Sequence, residues 1–211
     1  MKLRKTLREE KQKKASSIVK SVLNENYVFF KLEKGFVIEE SVEGSITKVS
    51  YEISMTSADN CESLCIEGEG IGPVDAFFSS LKKALMIRYA SLENLLFREF
   101  AINADIGRFS QKHSGSNSPV EAVLVVQNER DEDLIFRNTS RSTNKAALSA
   151  VLSAIEYFIN SEKAAIILKK CIKDAKKRNR GDLIVLFTAQ LTEIVRNNSY
   201  EKVLNKKREN K

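Results

Sequence analysis

Three closely spaced glycines form the part of this sequence best suited to hold a ligand. Gly68, Gly70 and Gly72 precede Pro73, and apolar residues then recur at three- and four-residue spacings, which predicts a helix. Glycine allows a positive φ and a close backbone approach, and proline is favoured at the first helical position. The free N–H groups and the dipole of a helix N-terminus attract anions. The sequence therefore predicts a loop that binds a carboxylate or a phosphate, although it matches neither the dinucleotide nor the P-loop pattern.

The remaining reactive side chains form no constellation for catalysis or metal binding. His113 is the only histidine and lies in a polar Ser/Gly loop without positioning neighbours. Cys61 and Cys65 are close together and Cys171 is distant, an odd count that favours reduced thiols in a cytoplasm. No secretory signal is recognisable, and no apolar run approaches the roughly 20 residues of a membrane span. We therefore predict a cytoplasmic protein with no catalytic residue, metal site, cofactor or membrane contact.

Hydrophobic periodicity divides the middle of the chain into two units with the same order of elements. The first unit, residues 26–94, has three strand patterns, Tyr27–Val42, Ile46–Met55 and one around Leu64 and Ile66, followed by the helix after Pro73. The second unit, residues 95–162, repeats the order with strands at Leu95–Ile106, Val120–Gln127 and Leu134–Asn138 and a helix at Thr143–Asn160. A shift of 70 residues aligns Leu81 with Val151 and Leu85 with Ile155. The sequence predicts an α+β fold of two βββα units that pack together.

Basic helical segments flank these units. Residues 1–20 carry eight Lys and Arg against two acids, and residues 163–211 carry fourteen against five, whereas the centre is net acidic. We predict a basic N-terminal helix within residues 1–25 and a helical extension over residues 163–211, with helices at Ala164–Lys177 and Leu183–Val203. Gly181 is expected to end the first of these helices. The apolar face of the last helix either packs back on the sheet or the N-terminal helix, or forms an interface.

The sequence around the glycines resembles a known family. The run Ser63–Ala76, the helix after it and Leu95–Ile102 resemble the C-terminal regulatory domain of 2-isopropylmalate synthase and of the related citramalate and homocitrate synthases. The resemblance covers roughly residues 27–162. It implies two βββα units about a pseudo-two-fold axis, pairing with a second copy as a homodimer, and binding of an end-product amino acid.

The catalytic part of those synthases has no counterpart in this sequence. Their chemistry belongs to a (β/α)₈ barrel that holds a divalent metal on a His-x-His pair. No His-x-His is present, and 211 residues leave no room for a barrel of about 250. We therefore expect no synthase activity from this chain alone. It is either a free-standing regulatory module, for which a separately encoded catalytic subunit is a possible partner, or a piece of a longer protein.

A branched-chain amino acid requires amide donors, an oxygen acceptor and an apolar pocket. The amides of Gly70, Ile71 and Gly72, beside Pro73, suit its carboxylate, while Asp75 caps the helix or takes the ammonium. The resemblance places the effector between the two units and implies two further groups of residues, Leu96, Phe97 and Phe100 on one side and Asn138, Thr139 and Ser140 on the other.

Other interpretations of these residues remain open. The glycines suit a tight turn needed only for packing, and alternating phenylalanines are usually core residues. The basic residues lie at the ends rather than on the folded centre among aromatic residues, which disfavours a nucleic-acid reader. The alternative function is a dimeric scaffold or polyanion-associated protein that kept the fold and lost the effector site.

Overall fold

The computed structural model describes residues 2–39, 46–58, 60–104 and 119–196. The first part of the chain forms α1 (Lys2–Leu23), β1 (Phe29–Glu39), β2 (Thr47–Ser57), β3 (Asn60–Gly70) and α2 (Pro73–Leu85). The second part forms β4 (Leu96–Ala104), β5 (Val120–Gln127), β6 (Asp133–Ser140), α3 (Thr143–Lys177) and α4 (Gly181–Arg196). Within these ranges no helix is long and apolar enough to cross a membrane.

The strands form two separate antiparallel sheets, in the orders β1-β2-β3 and β4-β5-β6. In β2, residues Val49, Tyr51 and Ile53 point inward and are buried, and polar residues alternate with them. Helices α2 and α3 begin at Pro73 and Thr143, which are 70 residues apart as the repeat predicted. The structure confirms the α+β fold of two βββα units.

The two units share one hydrophobic core. Helix α2 packs on β2 and β3, while α3 packs on β5 and β6 and also contacts β1 and α2. The rings of Phe78 on α2 and Phe97 on β4 meet edge to face, with centroids 5.6 Å apart, and so join the first unit to the second. Because the buried residues form a single cluster, each unit covers apolar surface of the other.

The long helix α3 differs from the prediction. The helical patterns at Thr143–Asn160 and Ala164–Lys177 form one continuous helix. Its C-terminal half packs with α1 and α4 around a second, smaller core made of Val19, Leu23, Ala164, Ala165, Leu168 and Ile194. The apolar face of α4 therefore packs back on α3 and on the N-terminal helix, although Leu186 of that face stays exposed. The rest of the predicted last helix, residues 197–203, lies outside the described residues.

The end of α3 corrects another expectation. Asn179, not Gly181, has the left-handed conformation that ends the helix, with φ of 50°. The N–H of Arg180 bonds the carbonyl of Ala175, and the N–H of Asn179 bonds that of Lys176, which is a Schellman motif. Gly181 is instead the first residue of α4.

Helix α1 covers the open edge of β6. Gln12 Nε2 donates to the Ile135 carbonyl at 3.1 Å, and Gln12 Oε1 accepts from the Ile135 N–H at 3.2 Å. Glu9 pairs with Arg137 on the same strand at 3.2 Å. One glutamine side chain thus bonds the strand as another strand would, which protects the edge of the second sheet from pairing with other chains.

Candidate functional site

The glycine loop connects β3 directly to α2. Gly72 is the N-cap residue, and its carbonyl accepts from the Ala76 N–H at 2.9 Å. Asp75 Oδ2 accepts from the Ile71 N–H at 3.2 Å, so one of the amides expected to face a ligand bonds the first turn of the helix. The Ile71 side chain is 89% exposed. The loop is therefore held by its own residues and stands open to solvent.

The reason for the glycines differs from the predicted one. Gly72 has φ of −157°, which is extended backbone, and neither Gly68 nor Gly70 has a positive φ. A Cβ atom at Gly68 would overlap Ser80 Oγ, and one at Gly70 would lie 2.6 Å from the Ala76 nitrogen. The prediction of a positive φ is wrong, because Gly68 and Gly70 instead allow α2 to lie close against β3. At Gly72 an added Cβ would meet nothing within 4 Å.

The two helix N-termini differ in their caps. Ser142 Oγ accepts from the Lys145 N–H at 3.3 Å and so caps α3. Gly72, its counterpart before α2, has no side chain that could do this. The first turn of α2 therefore keeps N–H groups that no side chain of its cap residue satisfies, and an external acceptor has room to reach them. Asp75 lies in the same turn and supplies a negative group for a cation.

The three residues expected on β4 lie on different faces of the strand. Phe97 and Phe100 are partly buried and pack against the shared core, and Phe97 contacts Phe78 of α2. Leu96 precedes Phe97, points the other way and is 52% exposed. The phenylalanines therefore connect the core to the α2 side of the molecule, while Leu96 offers apolar surface to solvent.

The residues expected before the second helix occupy the end of β6. Asn138 and Ser140 stand 70 residues after Gly68 and Gly70, so they are their counterparts in the second unit. Ser140 Oγ accepts from the Ser142 N–H at 3.2 Å, and Thr139 is exposed. The candidate residues thus form two groups, one before α2 and one before α3.

A groove of about 760 Å³ lies between β1 of the first unit and the N-terminal half of α3. Among the expected site residues, Asn138 lines it. The sequence reasoning did not find its other walls, which include Leu32, Lys145, Leu148, Leu152 and Glu156. The recurrence of Ser149 and Ser153 at a four-residue spacing inside an apolar helix was the available signal.

Glu156 is the ionisable group at the closed end of this groove. Burial raises the pKa of its carboxyl, while the hydrogen bond that it accepts from the Phe30 N–H and the charge of Lys20 act in the opposite direction. That hydrogen bond is 2.6 Å long. Among the described residues, no three His, Cys, Asp or Glu side chains come together as a metal site, and His113 lies outside them.

The structure has a loop before a helix in each of two repeated units, and the two units share one core. A family model described as the LeuA allosteric (dimerisation) domain matches residues 9–159. The chain belongs to this family, which is the regulatory domain of 2-isopropylmalate synthase. The match begins within α1 and stops within α3, so the C-terminal half of α3 and α4 extend beyond it. A search of curated proteins found no match.

Proposed function

We propose that this chain is a non-catalytic regulatory module that forms a homodimer and binds a branched-chain amino acid between its two βββα units. Membership of an allosteric dimerisation family supports the regulatory role and the pairing of two copies. The observation that carries the effector site is the N-terminus of α2, which is open, exposed and without a side-chain cap. A carboxylate is the natural ligand of such a terminus.

The residues around this terminus suit the other parts of an amino acid. The carboxylate accepts from N–H groups at Gly72 and the first turn of α2, and Asp75 pairs with the ammonium. Phe97 and Phe100, which reach the core beside α2, supply apolar surface for the side chain, whereas Leu96 lies on the other face of β4. Asn138, Thr139 and Ser140 form the second group of the site, from the matching position of the other unit.

The module regulates a catalytic barrel that is not part of this sequence. The chain supplies the folded dimer and the effector response, and a synthase barrel, either separately encoded or elsewhere in a longer protein, supplies the chemistry. We expect no release of CoA from acetyl-CoA by the isolated chain with any 2-oxo acid.

Ligand-induced stabilisation tests the effector proposal. Leucine or isoleucine at millimolar concentration should raise the unfolding temperature, because a ligand at ten times its Kd stabilises the folded state by about 1.4 kcal/mol. Valine and alanine should raise the unfolding temperature less.

Replacing Gly72 with valine should remove the shift without unfolding the chain, since φ there is extended and the space is open. Gly181→Val, at another open glycine, is the control and should keep the shift. Calorimetry that detects no heat with any amino acid on a folded dimer would refute the proposal.

A further inference from the structure

Helix α3 lies along the open edge of β1 and bonds Val28, just before that strand, and Phe30 within it. Asn160 Oδ1 accepts from the Val28 N–H at 2.7 Å, and Asn160 Nδ2 donates to the Val28 carbonyl at 2.8 Å. Glu156 Oε1 accepts from the Phe30 N–H at 2.6 Å. Side chains of a helix therefore take the place of a fourth strand at this end of the first sheet.

Further along β1 the helix and the strand separate, and the groove of about 760 Å³ opens between them. The main-chain groups of Val28 and Phe30 point away from β2, so alternation puts those of Leu32 on the same side. A bulge after Leu32 inserts one residue, and Gly35 and Val37 then continue the series. Leu32, Gly35 and Val37 all line the groove. No side chain of the described residues bonds the main chain of Gly35 or Val37.

Small residues line the groove on both its strand side and its helix side. A Cβ atom at Gly35 would overlap the ring of Tyr51, so this glycine lets the ring form the floor. Across from the strand, α3 presents the small Ser149 and Ser153 and, between them, the apolar Leu152. Beside the groove Phe36 is 70% exposed, and Val37 and Ile38 are exposed too. An exposed apolar edge strand of this kind favours pairing with another strand.

The charge at the open end favours an acidic partner. Asn144 and Lys145, in the first turn of α3, line the groove there. In the part of the chain that the structure describes, Lys145 makes no ion pair. At the closed end, Glu156 is bonded to the Phe30 N–H, and Glu33 pairs with Lys31 at 2.9 Å. The charge of Lys145 and the positive end of the α3 dipole therefore both attract a carboxylate to the open end of the groove.

We propose that this groove binds a single extended peptide segment of a partner protein, which adds as a fourth strand beside β1. Its apolar side chains alternate toward Leu148 and Leu152, and a carboxylate lies beside Lys145. A segment that enters the groove has β1 on one side and α3 on the other. The six residues from Leu32 to Val37 span about 20 Å, which is enough for a short peptide. The proposal is separate from the effector site at α2, and only Asn138 belongs to both.

A library of random displayed heptapeptides, selected on the full chain, tests this proposal. The enriched peptides should carry apolar residues at alternate positions together with an Asp or a Glu. Fluorescence polarisation with one synthetic enriched peptide then measures Kd. N-methylation at alternate residues should weaken binding about five- to tenfold, and at the residues between them less than about twofold, because only one edge of an added strand bonds β1. Equal effects at all positions, or no enriched peptide, would overturn the proposal.

Variants of the chain locate the peptide. Ser149→Trp fills the groove and should abolish binding, and Lys145→Glu should weaken it about tenfold. Lys83→Glu, at an exposed lysine on α2, changes the net charge equally and should leave Kd within about twofold. A peptide that binds Ser149→Trp as well as it binds the wild type sits elsewhere and contradicts the inference. Thermal melts show whether each variant is folded. If Ser149→Trp does not fold, the N-methylated peptides test the proposal on the wild-type chain.

Discussion

The two βββα units repeat the same elements, yet they join the last strand to the helix in different ways. In the first unit Gly68 and Gly70 let α2 lie so close to β3 that a Cβ atom would overlap the helix, whereas the second unit has Asn138 and Ser140 there. The second helix is capped by Ser142 and the first has no side-chain cap. The second unit has the same order of elements and a capped helix. The fold itself therefore does not require a helix that begins without a side-chain cap. The open N-terminus of α2 is therefore not a requirement of the fold, and it is the position where we propose that the effector binds.

The units also differ in how far their helices continue. Helix α2 ends at Leu85, whereas α3 runs to Lys177 and carries Glu156 and Asn160 past the edge of β1. Helix α2 is too short to offer the same contacts to β4. Instead Lys82 Nζ on α2 donates to the carbonyl of Leu95, just before that strand, at 2.8 Å. Side chains of the second unit thus bond the start of the first unit's edge strand in three places, whereas α2 of the first unit makes one such bond near β4.

Removing the buried amide on α3 should have the largest effect on this asymmetry. Asn160→Ala leaves the buried N–H and carbonyl of Val28 without partners, and we expect a loss of about 3 kcal/mol in the free energy of unfolding. Gln12→Ala removes a similar two-way contact at the more accessible edge of β6 and should cost less than about 1 kcal/mol. Urea denaturation measures both. Equal losses of unfolding free energy would mean that these contacts stabilise the two sheet edges equally.

Alanine substitutions at the two strand-helix junctions should give the next largest difference in stability between the units. Gly70→Ala puts a Cβ atom 2.6 Å from the Ala76 nitrogen, which is main chain and cannot move aside, so we expect a cost of about 2 kcal/mol. Ser140→Ala, at the matching place in the second unit, should change stability by less than about 0.5 kcal/mol. The midpoint of chemical denaturation is the measurement. A Gly70→Ala variant as stable as the wild type would contradict the close packing of α2 on β3.

The carboxyl of Glu156 makes the contact between the units depend on pH. Burial raises its pKa in the folded chain above the usual 4.5, so the folded state takes up its proton before the unfolded state does. This group therefore penalises the folded state at neutral pH, and the penalty fades as the pH falls toward 4.5. Glu156→Gln keeps an acceptor for the Phe30 N–H and removes the titration.

Unfolding free energies of the wild type and Glu156→Gln, compared from pH 7 down to pH 5, measure this effect. The difference between them should shift in favour of the wild type as the pH falls. A constant difference over that range would show that Glu156 titrates alike in the folded and unfolded chains.

The sequence was most informative where local pattern and tertiary packing agree. The run of apolar residues in β5 predicted Val120–Gln127 with the observed bounds, and Thr143 was recognised as the start of α3. The break predicted after Asn160 was wrong because the polar residues there are satisfied by distant parts of the chain. Glu162 accepts from the Ser91 N–H at 2.9 Å, and Lys163 donates to the carbonyl of Asn26 at 2.7 Å. A helix boundary and a buried polar contact look the same in sequence.

The sequence marked the loop before α2 as unusual, but it did not give the reason for its glycines. Closely spaced glycines mark a special backbone, but the sequence does not distinguish a positive φ from the close approach of a helix, and here the second applies to Gly68 and Gly70. The groove between β1 and α3 was missed because its two walls, at Leu32 and Leu152 for example, are more than 100 residues apart. No local pattern brings them together.

The smallest expected effect tests the comparison most directly, by exchanging the two caps. Gly72→Ser has room for its side chain and the extended backbone of an N-cap residue, so the hydroxyl should bond an amide of α2 and add a few tenths of a kcal/mol to stability. Ser142→Gly should remove about the same amount from α3. Scanning calorimetry without leucine measures the change in stability, and the same scan with leucine measures the change in binding. If the effector carboxylate uses those amides, Gly72→Ser should respond less to leucine while being slightly more stable, and Ser142→Gly should respond fully. A full leucine response in Gly72→Ser would place the carboxylate elsewhere in the molecule.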